Sequence, residues 1–140
     1  MSIKAIQEEI IDEFSMFDDW MQRYEYMIEL GKSLPLIAEA FKTDDHIIKG
    51  CQSRVWVHAE LEDDKLVFTA DSDAIITKGI IAILIRAFSH QKPQDIIDAD
   101  TGFIDEIGLK EHLSPTRANG LLSMVKQLKL YALAFQSKLA

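Results

Sequence analysis

The sequence predicts an α+β fold in which a small antiparallel sheet packs against several helices. Two runs of alternating apolar and polar residues, together spanning about residues 54–71, are separated by Glu-Asp-Asp, which is typical of a β-hairpin. Elsewhere apolar residues recur every three or four positions, as they do along amphipathic helices. The chain has 140 residues, 48% of them hydrophobic, and no repeat or long linker. We therefore expect one domain spanning residues 1–140.

Three helical segments are predicted before the hairpin. Ser2 can cap a first helix, and Ser15 with Asp18 resembles a capping box for a second, which we expect to stop at Gly31. The run SLPLIAEAF, residues 33–41, is interpreted as a short third helix.

The helices predicted after the hairpin supply most of the core. Ser72 or Asp73 can cap a helix that is apolar nearly all round from Ile75 to Phe88, which makes it the candidate for the central core helix. Pro93 opens a short helical piece. Ser114-Pro115 supplies the cap and the first-turn proline of a long terminal helix.

Charge and composition exclude several classes of function. The 15 Lys and Arg against 23 Asp and Glu give a net charge of −8, which repels phosphate backbones and favours a protein or small-molecule partner over nucleic acid. No apolar stretch approaches the ~20 residues of a membrane span. The amino-terminal residues lack the pattern of a signal peptide, so we expect a cytoplasmic protein without membrane contact.

The single cysteine, Cys51, limits the sulfur chemistry. It excludes an internal disulfide and any thiolate metal or iron–sulfur site built by this chain alone, so we expect no cofactor and no metal. Pairing across the hairpin, with position numbers that sum to about 126 or 127, places Cys51 at the same sheet edge as Ser72 and Asp73, beside a helix amino terminus. That terminus and the cations Lys49 and Arg54 would lower the pKa of the thiol.

Other residues around Cys51 leave its role open. Lys78 is a further candidate cation, whereas the carboxylate of Asp73 would oppose ionisation unless it binds backbone amides and holds the loop. Free cysteines are often buried as small hydrophobes, so a structural role is an alternative. Gly50 and the polar Gln52 and Ser53 indicate instead a presented loop.

Two helical glycines and one arginine break local rules. Gly79 and Gly120 lie inside predicted helices, where close helix packing is the simplest explanation. Arg117, in the first helical turn, meets the positive end of the helix dipole unless it reaches an anion. Asp73, a thiolate or a partner could supply that anion, and an exposed neutral role is equally consistent with the sequence.

Three segments, IKGCQSRVW, DSDAIITKG and LSPTRANGL, together with the preceding YEYMIELGKSLP, resemble the SufE family of sulfur acceptors, which includes the CsdE proteins. The resemblance runs essentially from end to end. It implies an α+β fold similar to the IscU scaffold. It also implies that Cys51 takes sulfane sulfur from a PLP-dependent cysteine desulfurase of the SufS or CsdA type, becomes a persulfide, stimulates the desulfurase and passes sulfur to a SufB-containing complex.

The resemblance leaves Cys51 as the persulfide acceptor, supported by Gly50, Gln52, Ser53, Arg54, Asp73, Lys78 and Arg117. One thiol suffices for thiol–persulfide exchange. Because a persulfide must be shielded, we expect the loop to lie against the protein at rest and to turn outward on docking, with Gly50 as the hinge. A non-covalent desulfurase adaptor and a redox-sensing thiol are the alternatives. The choice of desulfurase and the formation of a homodimer stay open.

Overall fold

The computed structural model describes residues 2–51 and 53–139. Within them the helices and strands follow in this order: α1 (Ile3–Ser15), α2 (Trp20–Lys32), β1 (Val55–Glu62), β2 (Lys65–Ser72), α3 (Ile75–Phe88), α4 (Pro93–Asp98), α5 (Gly102–Glu106), α6 (Leu109–His112) and α7 (Pro115–Leu139). Two short 3₁₀ turns, Glu39–Phe41 and Asp44–His46, lie between α2 and β1. The fold is α+β, as predicted.

The hairpin forms in the predicted register. β1 and β2 are antiparallel, and their pairs run from Val55 with Ser72 to Glu62 with Lys65, so that paired numbers sum to 127. Asp63 closes the turn with φ of 58°, a left-handed conformation that aspartate tolerates better than most residues. Alternate residues of both strands are buried on one face of the sheet, which therefore packs on the core.

The helix α3 is the centre of the core, as its all-round apolar sequence predicts. It contacts α1, α2, β2 and α7. A Cβ added at Gly79 would lie 2.5 Å from the Met27 carbonyl oxygen, and one added at Gly31 would lie 3.1 Å from the Gly79 nitrogen. Gly79 therefore allows close helix packing, which confirms that prediction. α2 ends at Lys32, one residue beyond the predicted stop at Gly31. Gly31 is buried inside the helix, where α2 crosses α3.

The third predicted helix is wrong. Only Glu39–Phe41 forms a helical turn, while the preceding residues run along the free edge of β2. The Ile37 amide donates to the Ala70 carbonyl at 3.0 Å, and the Ala70 amide donates to the Pro35 carbonyl at 3.0 Å. Proline lacks an amide hydrogen and disfavours helix in the residue before it, whereas the open strand edge offers hydrogen bonds to extended backbone.

Of the two helix caps predicted near the amino terminus, the cap of α1 is confirmed and the cap of α2 is not. The Ala5 amide donates to Ser2 Oγ at 3.1 Å, which confirms the cap of α1. Ser15 does not cap α2, because its hydroxyl donates to the Asp12 carbonyl at 2.8 Å in the last turn of α1. Asp19 caps α2 instead and accepts from the Gln22 amide at 2.8 Å. The capping-box interpretation of Ser15 was therefore wrong, because the residue that caps α2 is Asp19, beyond the short connection between the two helices.

Candidate functional site

The loop that carries Cys51 is tied to the sheet at both ends. The Ile48 amide donates to the Val55 carbonyl at 2.8 Å, and the Asp73 amide donates to the Arg54 carbonyl at 3.3 Å. Between these ties Gly50 has φ of 94°, in the region that favours glycine. Hydrogen bonds to the sheet therefore hold both ends of the loop, and the backbone turns at Gly50, directly before the cysteine.

Asp73 and Ser72 fasten this loop rather than cap α3, which corrects the predicted cap. The Arg54 amide donates to Asp73 Oδ1 at 3.1 Å, and Ser72 Oγ donates to the Arg54 carbonyl at 2.8 Å. The N-cap position of α3 is Ala74, which has no side-chain cap. The alternative in which Asp73 holds the loop is the correct one, because Arg54 and Asp73 face each other where the hairpin ends.

The thiol of Cys51 rests on α7. Its side chain is half-buried, and Sγ donates to the Gly120 carbonyl at 3.5 Å. A Cβ added at Gly120 would lie 3.4 Å from Cys51 Sγ. Helix packing was predicted at Gly120, and this was wrong as to the neighbour. The residue that approaches the backbone of α7 at Gly120 belongs to the Cys51 loop and not to another helix.

A small cavity of about 70 Å³ adjoins the thiol. It is lined by hydroxyl-bearing and apolar residues together with one arginine: Cys51, Ser53, Thr77, Ile80, Thr116, Arg117, Gly120 and Met124. Thr77 Oγ1 donates to Ser53 Oγ at 3.5 Å across this space. Since about 10–15 Å³ of such volume holds one water, the cavity has room for another atom of sulfur size beside Cys51.

The pKa of the Cys51 thiol is raised above its ordinary value by burial. The expected lowering by cations and a helix terminus is therefore wrong for this resting arrangement. Lys78 is 3.4 Å from Asp71, with which it forms an ion pair, and Lys49 and Arg54 are exposed. The nearest polar partner of the sulfur is a carbonyl oxygen, which favours the protonated thiol.

Arg117 lines the same cavity from the first turn of α7. The Arg117 amide donates to Ser114 Oγ at 3.3 Å, which confirms the predicted cap. Its side chain is exposed, and among the ion pairs of residues 2–51 and 53–139 none joins Arg117 to Asp73 or to another carboxylate. Arg117 is therefore an exposed cation that lines the same cavity as the thiol.

The structure thus brings together Gly50, Cys51, Ser53 and Arg117, with Arg54 and Asp73 at the base of the loop, and it pairs Lys78 with Asp71 instead. Gln52 lies outside the described residues. Sequence reasoning missed Thr77, Thr116, Ser123 and Met124. Ser123 and Met124 lie one helical turn after Gly120, so the helical period of the terminal segment is the signal that could have found them.

The described part of the chain contains neither a cluster of metal-ligating side chains nor a membrane-spanning helix. Within residues 2–51 and 53–139, no three His, Cys, Asp or Glu side chains come together as metal ligands. Over the same residues, no helix combines the length and the apolar character needed to cross a membrane.

Comparison with known proteins decides the family. The SufE family profile, described as an Fe-S metabolism associated domain, matches residues 8–132. The chain belongs to the SufE family. An uncharacterized SufE-like protein of Rhizobium meliloti is 43% identical over 127 residues, which cover 87% of this chain and 91% of that protein. Another, from Synechocystis, is 36% identical over 127 residues, which cover 91% of this chain and 80% of that protein.

A solved structure shares the fold of this chain. The solution structure of a hypothetical protein from Thermus thermophilus matches with a TM-score of 0.79 and 19% identity, covering 94% of this chain and 96% of that one. The α+β fold is therefore shared. Membership of the SufE family supports a role for this chain in iron–sulfur metabolism.

Proposed function

We propose that this protein is a sulfur acceptor and carrier in iron–sulfur cluster biogenesis, with Cys51 as the acceptor. Sulfane sulfur arrives from a PLP-dependent cysteine desulfurase of the SufS or CsdA type, whose turnover the protein stimulates. It then passes to a SufB-containing scaffold complex. The cytoplasm is the compartment we propose. The observation that carries the proposal is the position of Cys51, a half-buried thiol beside a small cavity that Arg117 also lines.

The transfer step needs only one nucleophile, the Cys51 thiolate, and one electrophile, the outer sulfur of the desulfurase persulfide. The Cys51 thiolate attacks the outer sulfur of the desulfurase persulfide, a new S–S bond forms on Cys51, and the desulfurase cysteine leaves as a thiolate. One S–S bond replaces another, so no external oxidant or reductant is required. The proton of the Cys51 thiol must leave first, because the thiolate is the reactive form.

The resting position of Cys51 is better suited to protecting a bound sulfur than to nucleophilic attack by the thiolate. The half-buried thiol donates to the Gly120 carbonyl, and burial raises its pKa. The cavity offers the outer sulfur of a persulfide a place away from solvent thiols. We propose that docking of the desulfurase turns the loop outward, where the pKa of the thiol returns toward its ordinary value and the sulfur can reach its donor.

Arg117 supports the exchange by its position. This exposed cation, which lines the cavity, favours an anionic sulfur at Cys51, and it can also contact an acidic group of the partner. Asp73 and Arg54 act through the loop, because their backbone and carboxylate hydrogen bonds fix its ends. Lys78 has a smaller part, since it pairs with Asp71.

A non-covalent adaptor is the second candidate, and the raised pKa of the resting thiol favours it. In that case the protein would stimulate the desulfurase by binding alone. The two functions are separated by measuring alanine release from cysteine by SufS-like and CsdA-like desulfurases, with wild type and with Cys51→Ser. The carrier predicts stimulation by wild type and its loss in Cys51→Ser with at least one of the two enzymes. Equal stimulation by both proteins would contradict the carrier and support the adaptor.

A further inference from the structure

Gly50 and Ser123 meet where the Cys51 loop touches α7. A Cβ added at Gly50 would overlap Ser123 Oγ and would lie 3.3 Å from Ser123 Cβ. A methyl group at position 50 would therefore require the Ser123 side chain or the loop to shift. Ser123 follows Gly120 by three positions, so both residues face the loop from adjacent turns of the same helix.

The two contacts bracket the reactive residue. Gly120 contacts Cys51 itself, while Ser123 contacts the residue that precedes it. In close-packed contacts, a change of even one methylene is felt by the neighbours. The volume of the side chain at position 123 must therefore limit how closely the backbone at Gly50 approaches α7, and the cysteine moves with that backbone.

We propose that Ser123 is a positioning residue for Cys51, whose side-chain volume sets how far the Gly50–Cys51 segment settles onto α7 and how much of the thiol faces solvent. The purpose of this arrangement rests on the proposed sulfur transfer. If the segment packs too tightly on α7, the sulfur cannot reach its partners. If it packs too loosely, a persulfide on Cys51 is exposed to other thiols. The positioning itself is a property of the isolated chain and is tested there.

The test is a double-mutant cycle of Gly50→Ala and Ser123→Ala, measured as the rate at which iodoacetamide alkylates Cys51 across a range of pH. In Gly50→Ala the added methyl overlaps the Ser123 hydroxyl and displaces the loop, so we expect alkylation near neutral pH to rise about tenfold. The pH profile should move toward that of the unfolded chain, which a loss of stability alone would not cause in a folded protein.

Removing the hydroxyl should reverse most of this change. In Gly50→Ala/Ser123→Ala we expect the rate to return to within about threefold of Ser123→Ala alone, the remainder reflecting the strain of alanine at positive φ. The matched control is Ser137→Ala, an exposed serine on the same helix whose hydroxyl donates to the Leu133 carbonyl. Gly50→Ala/Ser137→Ala should keep the raised rate. Equal effects of the two serine changes would overturn the proposal.

A second variant covers the case in which Gly50→Ala does not fold. Ser123→Leu keeps Gly50 and its allowed φ, but it fills the space against which the loop closes, so we expect alkylation about tenfold faster than in wild type. An unchanged rate and pH profile in Ser123→Leu would overturn the proposal. Because these rates need no desulfurase, a failure of sulfur transfer would leave them standing, and a failure here would leave the carrier function untouched.

Discussion

At Cys51, burial and the Gly120 carbonyl act on the thiol in the same direction. Burial disfavours the thiolate, and an acceptor at 3.5 Å favours the form that still carries a proton. The Lys78 ammonium does not offset these effects, because it pairs with Asp71. The resting position therefore favours the protonated thiol, and under the proposed function pH and docking should control the same step, formation of the thiolate.

The pH dependence of alkylation follows from this. We expect the rate for native Cys51 to rise with pH around a midpoint above that of the same cysteine in the urea-unfolded chain, because burial raises the pKa of the thiol. Iodoacetamide labelling followed by mass spectrometry measures both midpoints. A native midpoint at or below that of the unfolded chain would show that a cation stabilises the resting thiolate.

Arg117 should matter for transfer but not for stability. Its side chain is exposed and lines the cavity of Cys51. We expect Arg117→Ala to slow persulfide transfer from the desulfurase about tenfold while the free energy of unfolding changes by no more than about 0.5 kcal/mol. The control is Lys126→Ala, another exposed cation of α7, which should leave the transfer rate unchanged. A similar loss in both variants would mean that only the general charge of the helix counts.

Between elements, α3 is held by two different kinds of contact. At its crossing with α2, Gly79 contacts the backbone of Met27. Two turns further along, Arg86 binds Glu9 and Glu13 of α1, with Arg86 Nη1 2.7 Å from Glu13 Oε1 and Nη2 2.7 Å from Glu9 Oε1. Each contact gives a stability prediction.

Replacing Gly79 should force α2 and α3 apart. The new Cβ would lie 2.5 Å from the Met27 carbonyl oxygen, so we expect Gly79→Ala to lower the free energy of unfolding by about 1–3 kcal/mol despite the better helix propensity of alanine. Urea unfolding measures the change. Gly102→Ala is the control, because its Cβ would meet nothing closer than 3.4 Å. Equal stability of wild type and Gly79→Ala would refute a tight crossing.

The Arg86 guanidinium holds the pKa of Glu13 below its ordinary value. The stabilisation from this carboxylate is therefore fully present above the ordinary carboxyl pKa and is lost as pH falls through the lowered pKa. We expect Glu13→Gln to cost about 1–2 kcal/mol at neutral pH and the cost to shrink as pH falls through that range. The exposed Glu8→Gln is the control in urea unfolding. A cost that does not change with pH would contradict the assignment.

The sequence predicted correctly the helices and strands whose structure is set by the local pattern of residues. Strict alternation predicted the hairpin register, and the apolar run of α3 predicted the core helix. The run after Leu34 was misread because its hydrogen bonds come from β2, a partner that periodicity does not reveal. Gly120 was visible as an anomaly, but its neighbour is a loop residue 69 positions away, and only the folded chain shows that contact.

Across the whole molecule, the site forms where three distant parts of the chain meet. The loop around Cys51, the start of α3 and the start of α7 surround one small cavity at the end of the hairpin. The core fixes the starts of the two helices, because α3 contacts both the sheet and α7. These helices form the floor of the cavity, and the proposed function assigns the movement on docking to the loop.

The molecule as a whole carries a net charge of −8, so most of its surface repels acidic partners. Arg117 and the exposed Arg54 and Lys49 are cations near the Cys51 loop. This local positive charge in an acidic chain suits contact with a partner that presents carboxylates around its own reactive cysteine. The family supports iron–sulfur metabolism as the setting of the protein, and the docking of a protein partner at these cations remains part of the proposed function.

The most direct test of sulfur acceptance is intact-mass spectrometry of the chain after incubation with cysteine and a PLP-dependent cysteine desulfurase. The account predicts added sulfur on wild type, mapped to the peptide that contains Cys51, its removal by a reducing thiol, and none on Cys51→Ser. Wild type that stimulates the desulfurase yet gains no sulfur on Cys51, with SufS-like and CsdA-like enzymes alike, would contradict it.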